Sequence, residues 1–266
     1  MKRIISVIAC VSAAVLALWC APVAADRRAA SIVVPILMYH HVGNWGPSRA
    51  DWAPWVVLPE DFRAQMDWLV QHGYRTISFR ELIECASRGV APAGKPVIVS
   101  FDDGWAAQCG VVRDELMPRG MRATLFVYTG AVGPAPNGSG YVSWQELREL
   151  EAAGNEVQSH TVSHARLTDV LPAQLQVEMQ ESRRKIEAEM HHPVQALAYP
   201  FGLHDRAVMQ AARAAGYECA VRADADVSVG EPLQFRMPRL RMGYGEGLQR
   251  FEECMLGSAV PALTNN

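Results

Sequence analysis

The sequence predicts a single-domain α/β fold built on a mostly parallel sheet, and three observations carry that expectation. Apolar runs of strand length alternate with amphipathic stretches at helical spacing, the pattern of repeated β-α units. No Ser/Gly-rich or Pro-rich linker, internal repeat or low-complexity tract divides the chain. The most reactive side chains, His40, Asp102, Asp103 and His160, fall at the ends of three separate predicted strands, where parallel α/β folds gather their active residues.

The elements follow in order. Residues 32–39 form an apolar strand. Residues 59–72 place Phe62, Met66, Leu69 and Val70 at helical spacing, and Gly73 ends the helix. A short strand spans 74–78 and a helix 79–88. Residues 96–101, with the Val97-Ile98-Val99 run, read as a buried strand ending at the Asp pair. A helix over 106–118 and a strand over 123–128 come next. After a Gly/Pro-rich loop, Ser143 caps a helix to 153, with Glu146 at the capping-box position and Gly154 as its stop. The spacing then predicts strand 155–159, a long helix over 172–191, strand 195–199, helix 205–215, strand 218–222, strand 237–242 and a last helix over 246–256.

The N-terminus reads as a secretory signal. Lys2 and Arg3 precede an almost wholly apolar stretch to Trp19, and Ala21-Pro22-Val23-Ala24-Ala25 supplies small residues for cleavage. A lipidated form is the alternative, but Cys20 follows the bulky Trp19 and Cys10 comes too early. Cleavage after Ala25 divides the chain into a signal peptide, 1–25, and a single domain, 26–266, of about 240 residues, enough for one large core. The expectation is an exported protein, periplasmic or secreted, with no membrane span after cleavage. Losing Lys2 and Arg3 takes the formal net charge from −3 to −5. An acidic exported protein is a poor partner for nucleic acid or anionic membranes, which reward dense Lys/Arg patches. A neutral or cationic polymer is more compatible. Cys85, Cys109, Cys219 and Cys254 remain. An oxidising compartment permits disulfides in any of three full pairings, and four buried thiols are the other reading.

Two runs carry the chemistry: Ser100-Phe101-Asp102-Asp103-Gly104 and His160-Thr161-Val162-Ser163-His164. Asp-Gly alone reads as a turn. After a buried strand, however, two adjacent carboxylates repel unless a cation or proton sits between them. The histidines stand at i and i+4, which on a helical turn puts both on one side. One carboxylate and two imidazoles make a three-ligand divalent metal site with an open position, and the second carboxylate is then free to take a proton from water. No Glu lies between the histidines, so this is not the metalloprotease pattern. His40 and His41 end the first strand; adjacent residues face opposite ways, so one is expected in the site, as a proton donor or as a core histidine. Tyr199-Pro200-Phe201-Gly202 reads as a turn or as a groove wall with a backbone N–H facing an oxyanion. Arg239 lies in an apolar strand and needs a carboxylate partner, for which Asp102 is a candidate. Trp45, Trp52 and Trp55 form either a stacking edge for sugars or a hydrophobic plug.

Ser-Phe-Asp-Asp-Gly, His-Thr-x-x-His and Tyr-Pro-Phe-Gly, in this order over roughly residues 33–256, resemble the polysaccharide deacetylase family (NodB homology, carbohydrate esterase 4). The resemblance implies a distorted (β/α) barrel and a metal-dependent N-deacetylase acting on an N-acetylglucosamine polysaccharide. It implies Asp102 as general base, and Asp103, His160 and His164 as ligands of a divalent metal, with zinc favoured by the mixed N/O ligand set. Phe201 stands where the family usually has Tyr, whose backbone N–H helps the oxyanion, and Phe keeps that N–H; Tyr199, Pro200 and Trp45 are the further substrate-contact candidates from the residues themselves. There are departures. No Leu-x-His motif is found near the C-terminus. Met38-Tyr39-His40-His41-Val42 instead resembles the circularly permuted branch that deacetylates poly-β-1,6-N-acetylglucosamine, which implies His40 as the acid. Ala198 stands where an Arg is usual, and Arg239 is the implied substitute. Peptidoglycan and chitin-like oligomers are alternative substrates. A non-catalytic carbohydrate-binding protein and a two-His-one-carboxylate iron oxygenase are alternative classes; intact Asp102 argues against the first, and the absence of His-x-Asp against the second.

Overall fold

The computed structural model describes residues 34–44, 53–133, 140–223 and 235–258. The expected signal peptide, Trp45 and Trp52 lie outside them. The elements in chain order are β1 (Ile36–Tyr39), β2 (His41–Val42), β3 (Val56–Val57), α1 (Pro59–Gln71), β4 (Tyr74–Thr76), α2 (Phe79–Ser87), β5 (Lys95–Phe101), α3 (Ala106–Val111), β6 (Thr124–Val127), α4 (Trp144–Ala152), β7 (Glu156–Ser159), α5 (Pro172–Met190), β8 (Ala196–Ala198), α6 (Arg206–Ala214), β9 (Cys219–Val221), β10 (Leu240–Arg241) and α7 (Leu248–Ser258). No described helix is long and apolar enough to cross a membrane.

The main sheet runs β10-β1-β5-β6-β7-β8-β9 with every pairing parallel, and β4 pairs with the start of β5. It curls toward closure. Met237 bridges Val221 beside β9, while Leu240, three residues on, pairs with Leu37 of β1. One short segment thus touches both ends of the sheet, giving the distorted (β/α) barrel expected from the motifs.

Strand alternation separates two faces. Ile36, Ile98, Phe126, Ala196, Ala198, Cys219, Val221 and Met237 fill the inside, while Leu37, Val99, Leu125, Val157, Leu197 and Leu240 pack outward against the helices. At one end of the interior, buried Glu156 accepts hydrogen bonds from the Phe79 and Arg80 N–H groups, Thr124 Oγ1 and Gln158 Nε2. That carboxylate fastens the N-terminus of α2 beneath the sheet and leaves the opposite end for the site.

Local signals are obeyed at most boundaries. Ser143 and Glu146 form a reciprocal capping box, Ser78 and Asp205 cap α2 and α6, and Pro59 and Pro172 open α1 and α5. Two expectations are corrected. The helix expected over 106–118 ends at Val111 and loosens into a π turn, Val112–Leu116, and a 3₁₀ turn, Met117–Arg119, because Pro118 has no N–H to continue the ladder. The strand expected over 237–242 contracts to two residues for the same reason at Pro238. Of the two readings left open for the cysteines, the described residues show free thiols at Cys85, Cys109, Cys219 and Cys254.

Candidate active site

Parity and strand ends bring the reactive residues together. His40 directly follows β1, Asp102 follows β5 and His160 follows β7; each shares its strand's inward face. The Asp102 N–H still bonds Tyr39 C=O at 3.0 Å and the His160 N–H bonds Val127 C=O at 2.8 Å, so the ladder holds both to the ends of their strands. The chain then turns sharply. Asp103 and Gly104 both have left-handed φ, 74° and 73°. A Cβ on Gly104 would meet Val127 Cγ1 at 3.0 Å and Val142 Cγ1 at 3.3 Å, so this position needs glycine on two counts.

The two histidines do not sit on a helix. Residues 160–164 are a loop with left-handed φ at Thr161 and His164, 73° and 59°. Glu178 of α5, fully buried, shapes it: its carboxylate accepts from the Val162 and Ser163 N–H groups at 2.9 Å each and from Ser163 Oγ at 2.6 Å. These partners hold its carboxyl below the usual range against burial, which would raise it. The loop, not helical periodicity, puts the rings side by side, 4.8 Å apart.

Asp103, His160 and His164 meet with their ligand atoms within 4.8 Å of one another. Asp103 Oδ1 lies 3.5 Å from His160 Nε2 and 3.3 Å from His164 Nε2. That oxygen is buried and has no hydrogen-bond partner. His160 Nδ1 lies 2.7 Å from the Ala198 carbonyl, to which it can only donate, so Nε2 faces the cluster; burial would lower this imidazole, but Asp103 and Asp102 raise it. Burial, with His160 nearby, pulls His164 down to about 4, so its imidazole is neutral. Burial would raise the Asp103 carboxyl, but His160 and its neighbours hold it ionised. An orphaned anionic oxygen facing two imidazole nitrogens fits a divalent cation of the zinc class.

Asp102 occupies the other side. Arg239 donates to both of its oxygens, Nη1 to Oδ1 and Nη2 to Oδ2, each at 2.6 Å. Arg239 is itself buried; its Nε donates to Arg222 C=O at 3.0 Å, and its guanidinium lies over Phe126 at 5.5 Å. Burial would raise the Asp102 carboxyl, but Arg239 outweighs it and keeps the group ionised. His40 Nε2 stands 3.9 Å from Asp102 Oδ2. Burial lowers the His40 imidazole, against the raising effect of both aspartates. His41 points elsewhere and packs on Trp105, 4.7 Å between rings, with burial pulling its imidazole down to about 4.

The expected substrate wall divides. Tyr199 and Pro200 are buried, and Tyr199 donates its hydroxyl to Phe235 C=O at 2.9 Å, so both belong to the packing. Phe201 alone is exposed, at 51 %, with φ 59°, its ring 4.7 Å from His164 and 5.6 Å from the Arg166 guanidinium. Trp55 lies on the opposite flank, 4.6 Å from His40 and under Arg241 at 5.2 Å. Three supports are not legible in the sequence alone. Glu178 is one polar residue among many on a charged helix. Gln108 Nε2 ties His40 C=O at 2.8 Å to Asp102 C=O at 2.6 Å. Trp105 donates from Nε1 to Asp103 Oδ2 at 3.1 Å; its place directly after Asp-Asp-Gly is the one signal that could have pointed to it.

Comparisons with known proteins point to polysaccharide deacetylases. Residues 89–220, which hold Asp102, Asp103, His160, His164 and Phe201, match the family model described as polysaccharide deacetylase. The Bacillus subtilis (strain 168) protein YxkH is 26% identical over 212 residues, 80% of this chain and 72% of that one. Among solved structures, the Streptococcus pyogenes deacetylase PplD in complex with acetate superposes with a TM-score of 0.74 at 26% identity, covering 86% of this chain and 98% of that one. BC0361, a polysaccharide deacetylase from Bacillus cereus, gives a TM-score of 0.70 at 27% identity, covering 84% of this chain and 68% of that one.

Proposed function

Because this chain carries a polysaccharide deacetylase domain, we propose that its site hydrolyses N-acetyl groups on an extracytoplasmic N-acetylglucosamine polymer. One observation supports this above the others: the orphaned Asp103 oxygen faces two imidazole nitrogens, with the ionised Asp102 beside it and His40 3.9 Å beyond. A carbohydrate-binding protein has no use for a buried carboxylate held ionised at such a place.

In this reading Asp103, His160 and His164 hold a divalent cation, most naturally zinc. When bound, that cation supplies Lewis-acid polarisation of the amide carbonyl and acidifies water. Asp102 accepts the water's proton. Arg239 keeps Asp102 anionic and aimed, using both oxygens while each retains a further lone pair. His40 donates a proton to the departing amine; an imidazole whose basicity burial has lowered is a correspondingly strong donor once protonated. Phe201 and Trp55 flank the site with aromatic surface against which sugar rings can lie. Acetate, the product of such a reaction, is present in the PplD structure.

For the polymer, poly-β-1,6-N-acetylglucosamine is placed ahead of peptidoglycan and chitooligosaccharides. Its support is the Tyr39-His40-His41-Val42 run, the export signal read over 1–25, and an acidic balance that tolerates a product gaining amines. The test is acetate release from β-1,6 oligomers, β-1,4 chitooligomers and peptidoglycan, with and without EDTA and zinc add-back. No release from any glycan would return the chain to the carbohydrate-binding class. Preference for either of the latter two would overturn the polymer assignment alone. Export is tested by N-terminal sequencing of the mature protein, which should begin at Asp26.

A further inference from the structure

Asp103 shows its two oxygens to different neighbours. Oδ2 accepts the Trp105 indole N–H at 3.1 Å. Oδ1, buried and without a hydrogen bond, faces His160 and His164 at 3.5 Å and 3.3 Å. A carboxylate can offer a cation one oxygen or both, and its terminal torsion is soft, so nothing intrinsic to Asp decides between these. We propose that Trp105 is a positioning residue which fixes Asp103 as a single-oxygen ligand, and so sets the affinity and coordination number of the site. This rests on the reading of Asp103, His160 and His164 as the cation-holding set.

The indole is held where it can do this. Trp105 sits at the N-terminal boundary of α3, two residues past Asp103. Tyr141 stacks on it at 4.4 Å with a 23° interplanar angle, and the His41 ring lies 4.7 Å away. Tyr141 in turn meets Tyr128 edge-on at 5.3 Å, and Tyr128 lies 5.5 Å from the His164 ring. A single train of rings therefore connects the donor on Asp103 to a second member of the cation-holding set. The backbone beside it is braced as well, since Gly104 C=O accepts from the Val142 N–H at 2.8 Å. With Oδ2 engaged, recruiting it to the cation requires breaking the indole bond. That penalty favours one-oxygen ligation and the low coordination number that leaves an open position. Partners outside the ligand set that orient ligands in this way typically change metal affinity by roughly 10–100-fold when removed.

The test uses the full chain and Trp105→Phe, which keeps an aromatic face for Tyr141 but has no N–H. Zinc affinity is measured on metal-stripped protein by competition with a chromophoric chelator. The thermal midpoint of the metal-free protein and the visible spectrum of the cobalt-loaded protein are read alongside. The expected result is zinc binding roughly 10–100-fold weaker than wild type, an unchanged metal-free midpoint, and cobalt bands that weaken as the released oxygen raises the coordination number. Unchanged zinc affinity with unchanged cobalt bands would overturn the proposal while leaving the metal site standing. Wild-type protein that takes up no zinc would overturn both. A fall in affinity matched by collapse of the metal-free midpoint would assign Trp105 to packing and overturn it too. Should Trp105→Phe fail to fold, site-specific replacement of Trp105 by benzothienylalanine keeps the bicyclic shape and exchanges the N–H for sulfur. Weakened zinc binding in that protein supports the proposal, and unchanged binding overturns it.

Discussion

Arg239 grips both oxygens of Asp102 at 2.6 Å across 137 residues of sequence, with both side chains buried. Removing one partner of such a pair strands the other, at a cost of about 3–5 kcal/mol. Arg239→Met should therefore lower unfolding free energy by about that amount and abolish most turnover. The double variant Asp102→Asn/Arg239→Met should recover part of the stability and none of the activity. Urea unfolding of the three variants checks this; additive losses would mean that the two residues are not coupled.

Asp102→Asn alone should bind zinc and fold while losing most deacetylation, because a carboxamide cannot accept the proton. His40→Ala should be similarly severe, each by roughly 10²–10⁴-fold in kcat. His41→Ala should be milder, since that ring packs on Trp105 and faces away from Asp102. If His41→Ala proves the crippling substitution, the acid has been misassigned.

His160→Ala should lose zinc, and EDTA should silence the wild-type protein until zinc is restored. Inductively coupled plasma analysis of purified protein reads the first directly. Stoichiometric metal retained by His160→Ala would place the cation elsewhere.

Glu178→Gln should loosen the histidine loop without touching a ligand. The Glu178 carboxyl is held below its ordinary range, so the stability it adds is present above roughly pH 4.5 and fades as pH falls through its folded-state value. Wild type and Glu178→Gln should thus differ in thermal midpoint near neutrality and converge in acid. Zinc affinity of the variant should fall at neutral pH. A constant difference across the pH range would remove the charge from the explanation.

Phe201→Ala and Trp55→Ala should raise KM on long oligomers more than on short ones, with zinc content unaltered. Loss of zinc in either variant would show that the ring braces the metal site and is not a sugar platform.

Much of this protein is legible in its residue order. Strand-length apolar runs separated by capped amphipathic helices specify a parallel α/β sheet, because local periodicity and cap chemistry act within a few residues. The same logic places His40, Asp102 and His160 at strand ends, and the period-two alternation of a strand aims them inward. Pro118 and Pro238 show the limit of periodicity: each apolar pattern runs through a proline whose missing N–H interrupts the element, so that β10 begins only at Leu240.

What only the tertiary structure decided are relationships between distant segments. The His160–His164 pair suggested a helical turn, yet the loop takes its shape from Glu178, whose buried carboxylate supplies acceptors that no local pattern encodes. Tyr199 carries the same motif as Phe201, but strand parity turns it outward, where Phe235 takes its hydroxyl. Arg239 required a carboxylate from the outset because a buried charge cannot stand alone. Which carboxylate it meets depends on the sheet curling until β10 lies beside β1, and curvature of that kind is a property of the packed whole.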